Sequence, residues 1–282
     1  MALVTSKQML LDAQQGGYAV GAFNVENMEM VEAVIAAAEE LNAPVILQTT
    51  PSTVRYASLE LYCANVRAAA GRAQVPVALH LDHGSSFALC AQALRAGYTS
   101  IMIDGSKLPL AQNIALTKQV VDMCAPAGVP VEGEIGRVGG KEDDLECENA
   151  GYTIPAEAVR FEAETGLSSM AVGVGTAHGV YKAAPVLNTE LVSVLKNALA
   201  VPLVLHGASG LSQEAVRECI RRGICKVNFA TELRMAYTEG VRETLRADPQ
   251  VFDPKAYGKA GREKVKELVK GRMLVCGCDG KA

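Results

Sequence analysis

Three histidines at the ends of apolar runs, one of them beside an aspartate, are the residues of this chain best placed to do chemistry. His83 is in VALHLDHG (77–84), His178 in SSMAVGVGTAHG (168–179) and His206 in VPLVLHGASG (201–210). The chain has 4 histidines in all, so three of them stand at comparable places in separate runs. Neutral imidazoles drawn from three distant segments suit a catalytic zinc ion, because three protein ligands leave a coordination position open to a substrate oxygen. One such histidine alone would read as a hydrogen-bonded core residue; three read as metal ligands. His80, three residues before His83 and inside its run, reads as a neutral core imidazole or one that buttresses a ligand.

Asp82 precedes a ligand and, in a continuing strand, falls on the opposite alternation from it, so it is expected to aim elsewhere in the same mouth. A carboxylate there can pass a proton to and from a substrate hydroxyl. Asp104, at the end of SIMIDGS (100–106), and Glu134, in VPVEGEIG (129–136), are candidates for a second metal position or for orienting the histidines. HGASG (206–210) and VNFAT (227–231) are turns of the kind that bind phosphate through backbone N–H groups, with Ser209, Asn228 and Thr231 as added side-chain donors. Ser209 is a poor triad nucleophile, since its nearest histidine is three residues earlier in the same turn. Asn24, at the end of the first run, is a further candidate for the mouth.

These residues need a scaffold that brings distant strand ends together. Eight apolar runs, at 19–24, 44–50, 77–84, 100–106, 129–136, 168–179, 201–210 and 225–231, alternate with helical patterns. In one of these, 28–42, Val31, Val34, Ile35 and Ala38 share a face. Pro44, Pro76, Pro130 and Pro202 mark strand entrances, where a missing N–H costs little. Gly97 and Gly223 suit helix C-caps. Eight strand–helix units predict a (β/α)8 TIM barrel, an α/β fold, with reactive groups at the C-terminal ends of its strands. The interval between Gly136 and Ser168 is long, and its glycine- and acid-rich first half lacks an apolar period, so a mobile lid is expected there. After Thr231, two helical segments form a C-terminal helical extension. With 282 residues and 49% apolar side chains the chain can bury one large core, so residues 1–282 are expected to form a single domain.

A formal net charge of -4, with no basic stripe, makes nucleic acid an unsuitable partner. No apolar run approaches the roughly 20 residues of a membrane span, and the first residues lack a signal-peptide pattern, so no membrane is expected and the cytoplasm is the expected location. The 8 cysteines are scattered, as reduced buried thiols would be, and the CxC near the end has no second pair to complete a zinc finger.

HLDHG, GTAHG, LHGASG and KVNFATEL, in this order, together resemble the zinc-dependent class II ketose-bisphosphate aldolases, with correspondence from the first strand to the terminal CGCDGKA. Most of these stretches are similar to the tagatose-bisphosphate branch, whereas HLDHGSSF is similar to the fructose-bisphosphate branch. The resemblance implies Zn2+ on His83, His178 and His206. Asp82 becomes the proton carrier at the C4 hydroxyl and aldehyde oxygen, and Glu142 the lid acid that exchanges the C3 proton. Gly179, Gly207, Ala208, Ser209, Asn228, Phe229, Ala230 and Thr231 would bind dihydroxyacetone phosphate, with a monovalent cation, Na+ or K+, as a candidate near the phosphate.

The implied reaction is reversible aldol cleavage of a ketose 1,6-bisphosphate to dihydroxyacetone phosphate and glyceraldehyde 3-phosphate. A metal-free route would need a lysine nucleophile; Lys182 fits better near the phosphate or lid, and Lys226 in a structural pair. Arg262 is a candidate for the distal phosphate across a subunit contact. The sequence departs from the family pattern at Gly133 and at Phe229, and the latter is expected to alter packing around the phosphate. A homodimer or homotetramer, and for the tagatose branch a non-catalytic companion subunit, are implied partners. A metal-dependent hydrolase and a non-catalytic aldolase-like subunit are the alternatives. The paired glycine turns disfavour the first, and the intact histidines and Asp82 the second.

Overall fold

The computed structural model describes residues 3–142, 145–147, 151–179, 181 and 185–282. The strands are β1 (Val20–Asn24), β2 (Val45–Thr49), β3 (Val77–Gly84), β4 (Ser100–Ile103), β5 (Val131–Ile135), β6 (Gly139–Glu142), β7 (Leu145–Cys147), β8 (Ser169–Val172), β9 (Ala177–His178), β10 (Leu203–Leu205) and β11 (Ile224–Phe229), all but β6 and β7 drawn from the apolar runs. The helices are α1 (Ser6–Gly16), α2 (Met28–Leu41), α3 (Pro51–Ala57), α4 (Leu59–Ala70), α5 (Phe87–Ala96), α6 (Leu110–Cys124), α7 (Pro155–Thr165), α8 (Thr189–Ala198), α9 (Gln213–Arg222), α10 (Thr231–Ala247) and α11 (Pro254–Cys276). Eight strands close in the order β1-β11-β10-β8-β5-β4-β3-β2, every neighbouring pair parallel. This is the expected (β/α)8 barrel.

Register decides which side chains share the barrel interior, because laterally paired residues of parallel strands point to the same face. Gln48 pairs with His80 and His80 with Ser100. Met102 pairs with Glu132, Glu134 with Ala171, Ala171 with Val204, Val204 with Lys226, and Asn228 with Ala22. Met102, Ala171 and Val204 form a small apolar cluster separate from the main core, which lies between the strands and the helices. Apart from Ala22, the rest of the inner face is polar and buried: Asn24, Gln48, His80, Asp82, Ser100, Glu132, Glu134, His206, Lys226 and Asn228. So much buried polarity is stable only if the groups satisfy one another, and that requirement shapes the site.

The helices follow from local signals. Asn27 caps α2 by accepting from the Met30 amide, Asn42 ends it in left-handed backbone, and Val31, Val34, Ile35 and Ala38 are buried as their spacing predicts. α1 covers the N-terminal face of the barrel, where Val4 N donates to Val77 O and the Ser6 and Ser100 hydroxyls lie 2.8 Å apart. The two C-terminal helices α10 and α11 pack on each other, and α11 packs on α2. The first contact needs Gly240, where a Cβ would stand 2.5 Å from Ala260 O.

Three expectations need correction. The interval 136–168 is not a structureless lid: β6 and β7 form an antiparallel pair and α7 follows. The sixth run is two strands rather than one. β8 stays in the barrel and β9 leaves it to pair with β6, Gly139 with Ala177 and Gly140 with His178. Gly140 makes this possible: it has φ 85°, and a Cβ there would lie 2.3 Å from His178 O. In the seventh run only Leu203–Leu205 is strand, so His206 stands just past its end. Among the described residues no helix is long and apolar enough to cross a membrane, and the seven described cysteines are buried free thiols.

Candidate metal and active site

The end of β3 presents two consecutive side chains to one place, which regular alternation forbids. Against β4, Leu81 pairs with Ile101 and Gly84 with Ile103, so three residue steps on β3 meet two on β4. The extra residue is absorbed at His83, whose φ of 48° is left-handed. Asp82 and His83 are consequently both buried in the mouth. A mark of the close fit is Gly84, where a Cβ would lie 2.3 Å from Met102 O.

The three histidines do gather. One ring nitrogen from each of His83, His178 and His206 falls within 4.8 Å of those of the other two. The ring centroids of His83 lie 5.0 Å from His178 and 4.7 Å from His206, each pair edge to face. His83 Nδ1 is 3.0 Å from Asp104 Oδ2, and His206 Nε2 is 2.9 Å from Glu132 Oε1. A carboxylate accepts only, so each of these nitrogens carries the proton and donates. The remaining nitrogens, His83 Nε2 and His206 Nδ1, face each other at 3.0 Å. In neutral rings those would be two lone pairs in contact, which is stable only with a positive charge between them. A divalent cation supplies that charge, and the donor set fits zinc.

The electrostatics of the metal-free cup agree. Burial disfavours charge on His83, but Asp82 and Asp104 outweigh it and hold the imidazole well above its ordinary range. Burial, with the charges of His83 and His206, pushes His178 well down. Asp104 is held below the carboxylate range, His83 and Ser106 overcoming its burial. Burial and the neighbouring Asp104 charge push Glu134 up to about 8. Glu134 Oε2 is buried, accepts no hydrogen bond among the described residues and lies 3.5 Å from His206 Nδ1. His83, Asp104 and Glu134 form a second group with ligand atoms within 4.8 Å.

Asp82 points to a different part of the mouth. Asn24 and Gln48 donate to its Oδ2 at 3.0 and 3.1 Å, and Asn228 to its Oδ1 at 3.1 Å. Burial alone would raise this carboxyl, but the positive charges of His83 and Lys226 help bring it net below its usual value. Gln48 escaped the sequence reading. The available signal was a polar side chain on the inward alternation of VILQT, one position across from His80 in the register. Asn24 lies beside it and accepts from Gln48 Nε2 at 2.8 Å.

The two glycine turns meet. Ser209 Oγ accepts from the Ala230 amide at 3.1 Å, tying the turn after β10 to the start of α10. Gly207 has φ 67°, and its carbonyl accepts from the Tyr181 hydroxyl at 2.7 Å; the same hydroxyl accepts from Ala177 N. Ala208 is buried, and Thr231 is the first residue of α10. Gly179 follows β9 directly, with φ 86°. One expectation is corrected here, that the Phe229 ring packs around the phosphate. The Asn228 amide is engaged with Asp82. The Phe229 ring leaves the mouth entirely: it stacks on Phe23 with centroids 5.5 Å apart, beneath the Arg272 guanidinium.

The side chains of Glu142 and Lys182 lie outside the described residues. Arg262 lies on the exposed flank of α11, with Glu263 at 4.0 Å, and within one chain it is not brought to the cup. Lys226 is paired with Glu132 at 2.9 Å inside the barrel. His80 is a neutral core imidazole, pushed down to about 3 by burial and the Lys226 charge, with Nδ1 2.7 Å from Ser100 Oγ.

Residues 4–281 match the family model described as fructose-bisphosphate aldolase class II. The chain belongs to this family. It is a lyase of the aldolase type, and the class II family is zinc-dependent in general. Among solved structures it is similar to the YdjI aldolase from Escherichia coli K12, with 37% identity, a TM-score of 0.88 and 99% of each chain covered. A Coccidioides immitis protein assigned as a fructose-1,6-bisphosphate aldolase matches at 29% identity and TM-score 0.88 over 97% of this chain and 96% of that one. The fructose-bisphosphate aldolase from Campylobacter jejuni shares the fold, with TM-score 0.84 over 100% and 97% of the two chains at 23% identity.

Proposed function

We propose that this aldolase cleaves tagatose 1,6-bisphosphate reversibly to dihydroxyacetone phosphate and glyceraldehyde 3-phosphate, with zinc held by His83, His178 and His206. The observation that carries the metal reading is the pair of facing ring nitrogens of His83 and His206, each set by a carboxylate behind it. Zinc, when bound, supplies a fixed positive charge that polarises the substrate carbonyl.

The protein's own residues do the rest. Ionised Asp82, held by three amide donors, takes the C4 hydroxyl proton in cleavage and returns it in condensation. The linked turns around Gly179, Gly207, Ala208, Ser209, Ala230 and Thr231 seat the phosphate of dihydroxyacetone phosphate on backbone amides and the α10 terminus, with Na+ or K+ beside it. Glu142, on the β6–β7 hairpin, exchanges the C3 proton. In this reading residues 1–282 act as one domain in the cytoplasm, as a homodimer or homotetramer, with Arg262 reaching a neighbouring subunit's distal phosphate.

The GTAHG, HGASGLS and GICKVNFATEL stretches support the tagatose epimer; HLDHGSSF supports fructose 1,6-bisphosphate as the competing substrate. A coupled assay of purified protein with both C4 epimers, run after chelation and again after zinc is restored, tests the proposal. Zinc-restored cleavage with a higher kcat/KM for the tagatose epimer supports it. A higher value for the fructose epimer overturns the substrate, and full activity in the chelated sample overturns the metal reading.

A further inference from the structure

Inside the barrel, one layer below the cup, a lysine and a glutamate are buried together: Lys226 is 1% exposed and Glu132 2%. Two apolar side chains would fill such a space without desolvating any charge, so packing alone does not call for an ion pair there. The two glutamate oxygens are divided between partners. Oε2 accepts from Lys226 Nζ at 2.9 Å and Oε1 from His206 Nε2 at 2.9 Å. His80 closes the other side, with Nε2 3.5 Å from Lys226 Nζ. A carboxylate held by one partner only would be free to rotate about its terminal bond; held by both, it presents one oxygen to the histidine in one direction.

We propose that Lys226 is a positioning residue for the metal cup: its ammonium holds the Glu132 carboxylate against His206 Nε2, which fixes that ring with Nδ1 turned toward the other imidazoles. The inference rests on the reading that these imidazoles hold zinc, and it gives the buried lysine a task that a bare structural pair would not have. Outer carboxylates that orient ligating histidines are commonly worth 10- to 100-fold in metal affinity. Lys226 extends that support one residue further from the metal.

The test compares wild type with Lys226→Met, Glu132→Gln and the double variant, reading three quantities: Zn2+ dissociation constant by chelator competition, melting temperature of the metal-free protein, and the visible spectrum of the Co2+ form. The single variants strand a buried partner and are expected to lose both stability and affinity. The double variant leaves no stranded charge. It is expected to regain the wild-type melting temperature while still binding Zn2+ about 10- to 100-fold more weakly, with shifted Co2+ bands. A double variant that regains both stability and wild-type affinity overturns the inference and leaves the metal reading intact, whereas wild type that binds no Zn2+ overturns both. Histidine ring nitrogen NMR of metal-free wild type and Lys226→Met gives an independent readout. His206 protonated at Nε2 in wild type, with that preference lost in the variant, is expected; a proton on Nδ1 in wild type, or an unchanged spectrum, overturns the inference.

Discussion

Asp82 and His83 are consecutive residues whose side chains enter the same mouth, because His83 takes φ 48° at a bulge between β3 and β4. One joins the imidazole cluster and the other is gripped by Asn24, Gln48 and Asn228. Metal binding and proton transfer are therefore separable. Asp82→Asn is expected to keep zinc while lowering kcat by about 10²- to 10⁴-fold, the range for loss of a general base. Zinc content by atomic absorption beside steady-state kinetics checks this, and a variant that loses its zinc contradicts the separation.

Gly140 backs directly onto His178. Gly140→Ala adds a Cβ 2.3 Å from His178 O at φ 85°, so β6 or β9 must shift. Left-handed backbone alone costs an L-residue about 1 kcal/mol, and the displaced ligand adds to that. Zinc affinity is expected to fall about tenfold or more, as a 1.4 kcal/mol loss implies. Chelator competition measures it; unchanged affinity would show that His178 does not depend on this contact.

Phe229 tests whether its ring belongs to the phosphate site or to the core. Packed between Phe23 and Arg272, it should behave as a core residue. Phe229→Val is expected to cost about 2 kcal/mol of stability, within the range for large-to-small core changes, while KM changes less than twofold, about 0.4 kcal/mol. Urea denaturation and kinetics on the same sample decide the point.

His80 gives the metal-free protein a pH dependence with a definite sign. Its folded value of about 3 lies below the ordinary 6.5, so the unfolded chain binds a proton that the folded protein refuses. Its contribution is fully present above pH 6.5 and is lost as pH falls toward 3, at about 1.4 kcal/mol per pH unit. Urea unfolding between pH 6.5 and 4.5 should show wild type losing stability more steeply than His80→Gln; equal slopes would contradict a buried neutral imidazole.

The barrel was legible because its strands are short apolar runs with proline entrances, and the three histidines stood out because each closes such a run. What escaped the sequence depended on pairing that no local pattern carries. Gln48 became visible only once β2 lay beside β3, and the Glu132–Lys226–His206 chain joins three strands. The β6–β9 contact needed Gly140 to bring two backbones together, and it took His178 out of the barrel wall. Phe229 misled because it sits in the chain among residues expected to bind phosphate, yet strand alternation sends its ring outward while Asn228 points in.

The most direct test is zinc X-ray absorption on protein loaded with one equivalent of metal. Three imidazole nitrogens at about 2.0–2.1 Å are expected, falling to two in His206→Ala. A shell containing sulfur, or one with fewer than three nitrogens in the loaded wild-type protein, would contradict a cation held by His83, His178 and His206.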